Sequence, residues 1–509
     1  MPSPGPPTEA RGRLALPILL SGYVIAFLLG MLQQSFLFEG SRVFPLADDA
    51  LISMQYARNL ASGAGLVWSG TDRVEGFTNF GWTLWMSLPH LLGISRNHTG
   101  IFVLLSNLVF NLLVIGLVWR EAGRIGGRRA ALVAGSVMAA SLPLLYWALA
   151  GFEFSLIAFL LTLSSLACVR WIRGDVAGRR HVWMAVALPG LAYVVRPEAA
   201  LFVPISLAAV ALARRRRGFA VRSFSFLDLL GALALAVAFM LSLHLFRWKY
   251  YGELWPNTAY LKLGGGARGS PLYYLARLVP DSLFPMMALV WAYTLRYERR
   301  ALEWQYVSCL LSVWLVWIFL SGGDAFGFAR FFLPILPTLS VFASLAAVRL
   351  WPVLTRGEGS LHALAVAAVL VIVGLNFAKT GLLLANLQRN RSSALEQRKI
   401  IRELEAVLPP NALVAVAWAG ASPYFAERLQ FVDVLGKCNK HIARTLAHKG
   451  QPVGHNKWDI EYVMSRRPAA ILEGGPIPWT DSQEFRLHYA PNQRKLQGAA
   501  QVEGYWLRK

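Results

Sequence analysis

The sequence predicts an α-helical polytopic membrane protein of about eleven transmembrane helices, ending in a small C-terminal α/β domain outside the cytoplasm. Three observations carry this expectation. The 509 residues are 56% hydrophobic and only 15% charged, against about 45–50% apolar and about 25% charged in ordinary soluble chains. Apolar runs near 14–37, 99–119, 130–149, 225–246, 303–320, 331–348 and 361–386 each approach the ~20 residues that cross ~30 Å of hydrocarbon. The formal net charge of +22 gathers in short stretches between such runs. The runs are continuous rather than alternating, so each backbone is expected to satisfy itself as a helix, which argues against an outer-membrane barrel.

Taken in order, residues 1–13 are Pro-rich and read as a disordered terminus. The first apolar run is a retained helix. It is too long for a signal-peptide core, and Phe36-Leu37-Phe38 is no small-residue cleavage site. Basic clusters at Arg11/Arg13, 120–129, 170–180, 214–222, 296–300 and 349–356 face the cytoplasm by the positive-inside rule. The intervening stretches then face outward: 38–98, 149–153, the turn at Arg196-Pro197-Glu198, 247–278, 321–330 and everything after about 387. This alternation closes if 80–94, with Trp82 and Trp85, lies at the membrane surface or re-enters it. The membrane module spans 14–386, with its first outer loop at 38–98, and 387–509 forms the outer α/β domain. In that domain Leu395, Ile400, Leu404 and Leu408 share one helical face over 387–408. The apolar runs 412–418 and 468–472 read as buried strands, and 458–465 as a helix.

Several function classes are disfavoured. The basic clusters come with no groove-reading motif, so no nucleic-acid partner is expected. There is no P-loop, no glycine-rich strand–helix turn and no paired-histidine zinc motif. The three cysteines form neither a disulfide framework nor a metal-binding pair. No internal repeat of the kind found in many secondary transporters is visible.

The chemistry-bearing residues lie in the outward stretches. Asp48-Asp49 opens a helical stretch over 50–62 that ends at Gly63-Ala64-Gly65. The plain reading of one aspartate there is an N-cap; a second beside it is free to face a pocket as a base. Arg73, Glu75, Thr78 and Asn79 surround Gly76, as an ordinary turn or as a polar recognition loop. Glu153 sits in a very short link between apolar runs, where a carboxylate is costly unless paired or hydrated. Arg196 and Glu198 flank Pro197, which breaks an apolar stretch, and they read as a self-contained ion pair or as ligand groups. Lys262 precedes Gly264-Gly265-Gly266, a flexible segment. Asp324 and Arg330 follow the close-approach glycines Gly322-Gly323, and Arg330 suits either a phosphate or a lipid headgroup.

The stretch from Asp48 to Val67, followed by Arg73-Val-Glu-Gly-Phe-Thr-Asn79, resembles the polyprenyl-phosphate-dependent membrane glycosyltransferases of the GT-C fold. The resemblance is to the group around the mycobacterial terminal β-(1→2)-arabinofuranosyltransferase. Gly151-Phe-Glu153, Arg196-Pro-Glu198, Tyr251-Gly-Glu-Leu-Trp-Pro-Asn257-Thr with Lys262, Gly322-Gly-Asp324 with Arg330, Val432-Asp-Val-Leu-Gly436, His441-Ile-Ala-Arg444 and Gly454-His455 continue it in order. The pattern departs from the family at Leu51, Phe152, Ala199 and Lys437-Cys438, where relatives commonly carry an aromatic, Met or Leu, Gly, and neutral or Asn-containing residues.

The resemblance implies a bacterial inner-membrane enzyme with its active site on the periplasmic side. It would move a sugar, arabinofuranose being one candidate, from a polyprenyl-phosphate donor to a cell-envelope glycan or glycolipid. Its partners would be the lipid bilayer, that lipid-linked donor and that acceptor. Asp49 is the expected base and Asp48 its partner or metal ligand. Cations, or a divalent cation held by Asp48 and Asp49, would neutralise the leaving phosphate. Arg58, Arg73, Arg196, Lys262 and Arg330 are the expected phosphate or sugar binders. Glu75, Thr78, Asn79, Glu153, Glu198, Asn257 and Asp324 complete the expected substrate site. A transporter or flippase of a lipid-linked sugar is the alternative, since it too explains membrane helices and charges near them.

Overall fold

Helix α1 (Ala15–Gln34) buries only Tyr23, Phe27, Gly30 and Gln34, while Ile18, Ile25, Leu29 and Leu32 stand exposed. A helix that is apolar all round yet meets protein on one side presents its other faces to lipid. The structure, a computed structural model, describes residues 14–176, 178–217, 225–262, 274–275, 283–324, 326–356, 360–451, 453–492 and 504–509. The expected disordered 1–13 and flexible Gly264–266 lie outside these residues.

After α1 a short hairpin of β1 (Phe36–Phe38) and β2 (Ser41–Val43) leads to α2 (Asp48–Ala61) and α3 (Phe80–Leu91). At 12 residues, α3 is about 18 Å long, short of the ~30 Å hydrocarbon core. The segment α4 (Thr99–Ala139) consists of two helical arms that turn at Gly127, whose φ of 74° and ψ of −174° are not helical. Gly123 faces Ala131 and Gly135 faces Trp119 across the turn, so 99–126 and 128–139 form an antiparallel hairpin. The basic stretch 120–129 is the tip of that hairpin.

Helices α5 (Leu142–Leu149), α6 (Phe154–Arg173), α7 (Arg179–Val195), α8 (Phe202–Arg217), α9 (Phe226–Tyr251), α10 (Asn257–Lys262), α11 (Leu283–Tyr297), α12 (Leu302–Leu320) and α13 (Leu336–Arg356) follow. Among the described residues six helical stretches are long and apolar enough to cross a membrane. The sequence expectation of eleven counts differently. The α4 hairpin merges two apolar runs into one helix, and α7 and α11, of 17 and 15 residues, are shorter than a full span. The fold is that of a multi-pass membrane protein.

The basic loops gather at one rim. Glu121 is buried between Arg124 (2.5 Å) and Arg170 (2.6 Å), Arg124 also reaches Asp175 (2.6 Å), Arg173 reaches Glu303 (3.1 Å), Arg216 donates to the Arg300 carbonyl, and Arg349 pairs with Glu298 (2.8 Å). Helix α6 starts beside Glu153 and ends at this rim, 20 residues and about 30 Å away. The two ends of the bundle are therefore chemically distinct: an arginine-rich rim, and a rim bearing Asp48, Asp49, Glu153 and Arg196.

Helix α14 (Ser360–Val407) runs 48 residues, about 72 Å, out of the bundle and into the C-terminal domain. That domain contains β3 (Leu413–Val416), α15 (Ala421–Phe425), β4 (Gln430–Asp433), α16 (Ile460–Ser465), β5 (Ala470–Leu472), α17 (Gln483–His488), β6 (Tyr489–Asn492) and β7 (Tyr505–Arg508). The strands form one sheet in the order β4-β3-β5-β7-β6, parallel across β4-β3-β5 and antiparallel across β5-β7-β6. Ile400, Ile401 and Leu404 of α14 pack with Val414, Val416 and Leu472 of the sheet and with Ile52, Tyr56, Trp68 and Phe77 of the first loop. This shared apolar core clamps the first loop between bundle and sheet, and so fixes where the N-terminus of α2 points.

Candidate active site

Asp48 and Asp49 begin α2, but Asp48 does not cap it: Ala47 is the N-cap residue and makes no side-chain bond. The Asp48 carboxylate instead accepts the amides of Ala421 (2.9 Å) and Gly420 (3.2 Å) at the start of α15. Gln397 of α14 lies 3.5 Å from the same carboxylate and accepts from the Ser422 amide and hydroxyl. Asp48 thus ties α2, α14 and the C-terminal domain together. Gly420 is obligatory for this approach, since a Cβ there would sit 1.9 Å from the Asp48 carbonyl oxygen. Burial, reinforced by the neighbouring Asp49 charge, pushes the Asp48 carboxyl up to about 6 against the pull of the Ala421 amide.

Asp49 faces the other way. Its Oδ1 is 2.5 Å from Lys437 Nζ, and its side chain keeps 26% of its surface open. Burial works to raise this carboxyl, but the Lys437 ammonium outweighs it, with help from Arg330, and brings it down to about 2. The Lys437 ammonium is in turn held above its ordinary value: burial opposes, and the Asp49, Asp48 and Asp433 charges prevail. Lys437 stands on a built loop. Inside it, the buried Asp433 carboxylate accepts the amides of Leu435 (2.9 Å), Gly436 (3.2 Å) and Cys438 (2.6 Å). Outside it, Asn257 Nδ2 donates to the carbonyls of Gly436 (2.8 Å), Lys437 (3.0 Å) and Asn439 (3.2 Å).

A cavity of about 370 Å³ opens against both aspartates. Its walls are Tyr146, Trp147, Phe152 and Phe326 from the bundle, Asn390 and Gln397 from α14, and Trp418, Gln451 and His455 from the C-terminal domain. An apolar wall with a few convergent polar groups is the usual make-up of a ligand pocket. Arg330 forms a two-pronged pair with Asp324 (2.5 and 2.7 Å) and lies over the rings of Phe326 and Trp147 at 4.5 and 5.2 Å. Phe328 and Ala329, immediately before it, hold φ of 56° and 45°, left-handed values that non-glycine residues adopt at a cost of about 1–2 kcal/mol each. Lys262, at the end of α10, keeps part of its surface exposed, yet crowding by the surrounding protein, followed by the charges of Arg330 and Arg196, lowers its ammonium to about 8. Among the described residues no carboxylate pairs with Lys262. The Arg330 charge acts on Asp49 and the Lys262 charge on His455, so these cations belong to the same electrostatic neighbourhood as the carboxylate.

The remaining expected residues divide. Glu153, Asn79, Arg196 and Glu198 form one chain: Asn79 Nδ2 donates to Glu153 (2.7 Å), and Arg196 donates to Glu153 (2.9 Å) and Glu198 (2.7 Å). Ser53 donates to Asn79 (2.9 Å), linking this chain to α2. Other expected binders are committed elsewhere. Glu75 is locked to the buried Arg247 at 2.7 and 3.0 Å. Arg58 donates to the carbonyls of Tyr424 (2.8 Å) and Ala426 (2.9 Å) and fastens the end of α15. Arg73 lies over the Tyr250 ring at 4.6 Å, Thr78 is partly buried, and neither lines the cavity. Asn257 serves the Lys437 loop. Lys437, His455, Gln397 and Trp418 belong to the site but lie outside the expected set. The signals available for two of them were the Lys437-Cys438 departure and the Gly454-His455 match.

A divalent cation at the aspartate pair does not fit the side chains present. Backbone amides take up Asp48, and an ammonium stands on Asp49 where a cation would bind. Among the described residues no three His, Cys, Asp or Glu side chains converge as a metal-holding group.

The chain has the fold of the GT-C membrane glycosyltransferases. Over 96% of its length it superposes on 97% of ArnT from Cupriavidus metallidurans bound to undecaprenyl phosphate, with TM-score 0.60 and 14% identity. It also matches the oligosaccharyltransferase AglB from Archaeoglobus fulgidus, in complex with an inhibitory peptide and a dolichol-phosphate, with TM-score 0.53 and 13% identity over 90% of this chain and 69% of that one. In sequence it is similar to two curated terminal β-(1→2)-arabinofuranosyltransferases. The match is 30% identical over 237 residues to the Mycobacterium tuberculosis protein, and 25% identical over 245 residues to the Corynebacterium glutamicum protein. Each alignment covers 44% of this chain but only 36% and 34% of those relatives. Residues 385–505 match a domain of unknown function (DUF8728).

Proposed function

We propose that the chain is a glycosyltransferase that moves a sugar from a polyprenyl-phosphate donor to a hydroxyl of a cell-envelope glycan or glycolipid, with Asp49 as the base. The observation that carries this reading is the Asp49 carboxylate. It is ionised, partly open, and set against a cavity walled by Trp147 and Phe326, over whose rings Arg330 lies. The acceptor oxygen attacks the anomeric carbon as the bond from that carbon to the phosphate oxygen breaks. The acceptor proton passes to Asp49, which becomes neutral, and the phosphate departs on its lipid with a second negative charge. Arg330, and Lys262, which pairs with no carboxylate among the described residues, would hold that charge. A single displacement of this kind inverts the anomeric centre. The aromatic wall of Trp147, Phe152 and Phe326 suits the lipid end of the donor, and Trp418 with His455 suits a sugar face. The named relatives favour arabinofuranose as the sugar transferred. The arginine-rich rim at the opposite end of the bundle supports, by the positive-inside rule, a site on the extracytoplasmic side of a bacterial inner membrane.

The test is transfer in proteoliposomes from radiolabelled polyprenyl-phosphate sugars to envelope acceptors. Asp49→Asn should abolish transfer and Asp48→Asn should weaken it. Full activity in both variants would overturn the assignment. Movement of the intact labelled lipid across the vesicle wall without transfer would favour a flippase.

A further inference from the structure

Lys437 points into the site from the C-terminal domain, and three features show that its place is built rather than incidental. The loop that carries it is held by three amides on the buried Asp433 carboxylate and by three carbonyls on Asn257. The Nζ atom rests on Asp49 Oδ1 at 2.5 Å, with only 14% of the lysine side chain exposed. The Asp48 oxygens are already taken by amides, so Asp49 is the one carboxylate of the pair free to meet a cation, and the chain supplies that cation itself.

Resting on the transfer reaction proposed above, we infer that the Lys437 ammonium takes the role of a divalent cation at the catalytic carboxylate, making this chain a metal-independent transferase. Lys437 acts first as a positioning residue, through Asp49. Before transfer it orients the ionised carboxylate toward the acceptor hydroxyl and prevents its protonation by solvent. When Asp49 receives the acceptor proton the ion pair is neutralised from one side. The ammonium is then left uncompensated at the moment the departing phosphate gains its second negative charge. A fixed cation of this kind stabilises charge that develops only on reaction. A dication brought to Asp49 would have to displace an ammonium at contact distance, and Coulomb repulsion in a partly dry site opposes that.

Two measurements on the full-length protein in detergent or nanodiscs test this. The first is binding of Mn²⁺ alone, followed by electron paramagnetic resonance. The wild type should bind no stoichiometric Mn²⁺; stoichiometric binding lost in Asp49→Asn would overturn the inference, whether or not any transfer is detected. The second is transfer activity. Excess EDTA should leave the wild-type rate unchanged, Lys437→Met should lose about 100-fold, and Lys437→Arg should recover part of the loss. Loss of wild-type activity in EDTA with recovery on adding Mn²⁺ or Mg²⁺ would overturn the inference, as would full activity in Lys437→Met. If Lys437→Met fails to fold by thermal melting, the wild-type EDTA and Mn²⁺ arms still decide. If the wild type transfers no sugar at all, the proposed function fails while the Mn²⁺ arm still reports on Lys437.

Discussion

Gly420→Ala is the substitution whose effect follows most directly from geometry. The backbone of Gly420 is ordinary, with φ −98° and ψ −78°, so the added methyl strains no dihedral. The conflict is purely one of space. The new Cβ would stand 1.9 Å from the Asp48 carbonyl oxygen and 2.8 Å from the Asp48 carboxyl carbon, where ordinary contact begins at 3.4 Å. The start of α15 must therefore withdraw from α2 by about 1.5 Å. Bonds now at 2.9 and 3.2 Å between the Ala421 and Gly420 amides and Asp48 would stretch beyond 4 Å, outside hydrogen-bond range. Each is a bond to a charged group worth about 1.5–3 kcal/mol. The loss should therefore be about 3–5 kcal/mol, tempered by whatever relaxation the short helix allows. The assay is denaturant or thermal unfolding of the purified chain beside Gly420→Ser, which should be at least as damaged, and beside Gly22→Ala, where a Cβ meets nothing within 4 Å. A Gly420→Ala protein as stable as Gly22→Ala would refute the latch between Asp48 and α15.

Other outcomes follow from the same geometry. Transfer should weaken as pH falls through about 6, because the Asp48 carboxyl is raised by burial and a protonated carboxyl accepts its amide bonds poorly; a pH–rate profile that is flat from 7 to 4 would contradict this. Unfolding driven by that group is not the cause. A carboxyl raised above the ordinary 3.8 contributes stability that is complete below 3.8 and lost as pH rises through about 6. Asp49, depressed to about 2, contributes stability that is present above 3.8 and lost only as pH falls toward that value. Arg247→Met should cost about 3–5 kcal/mol by stranding the buried Glu75, and Glu75→Leu with Arg247→Met together should cost less than Arg247→Met alone, read by a double-mutant cycle. Lys262→Ala should lower kcat for transfer about tenfold with a smaller change in the KM for the lipid donor, since a cation that meets the phosphate's developing second charge acts mainly in the transition state.

The parts legible in the sequence are those written locally. Apolar runs marked α1, α9 and α12, and among the described residues the basic stretches around Arg124, Arg170, Arg216, Arg300 and Arg349 converge at one rim. Asp48-Asp49 before a helical stretch marked the start of α2, and the 387–408 face marked the reach of α14 beyond the bundle. What was not legible depends on distant partners. Asp48 looks like a cap for its own helix, but its amides come from Ala421, 373 positions away. Glu75 reads as a ligand in a polar loop until Arg247, 172 positions on, is seen to bury it. Lys437 meets Asp49 across 388 positions, and neither periodicity nor turn chemistry carries that information. The polarity of Arg58 and Asn257 suggests substrate contact, whereas both satisfy backbone carbonyls where chain segments meet.

The central claim is that Asp49 removes a proton in the chemical step rather than merely holding the fold or the donor. Single-turnover transfer from a pre-bound polyprenyl-phosphate sugar, with donor affinity measured in the same preparation, separates these roles. Asp49→Asn should slow the single turnover by at least about 10³-fold while leaving donor affinity and melting temperature near wild type. A variant that turns over at the wild-type rate, or that loses rate only in proportion to lost donor binding, would contradict the account.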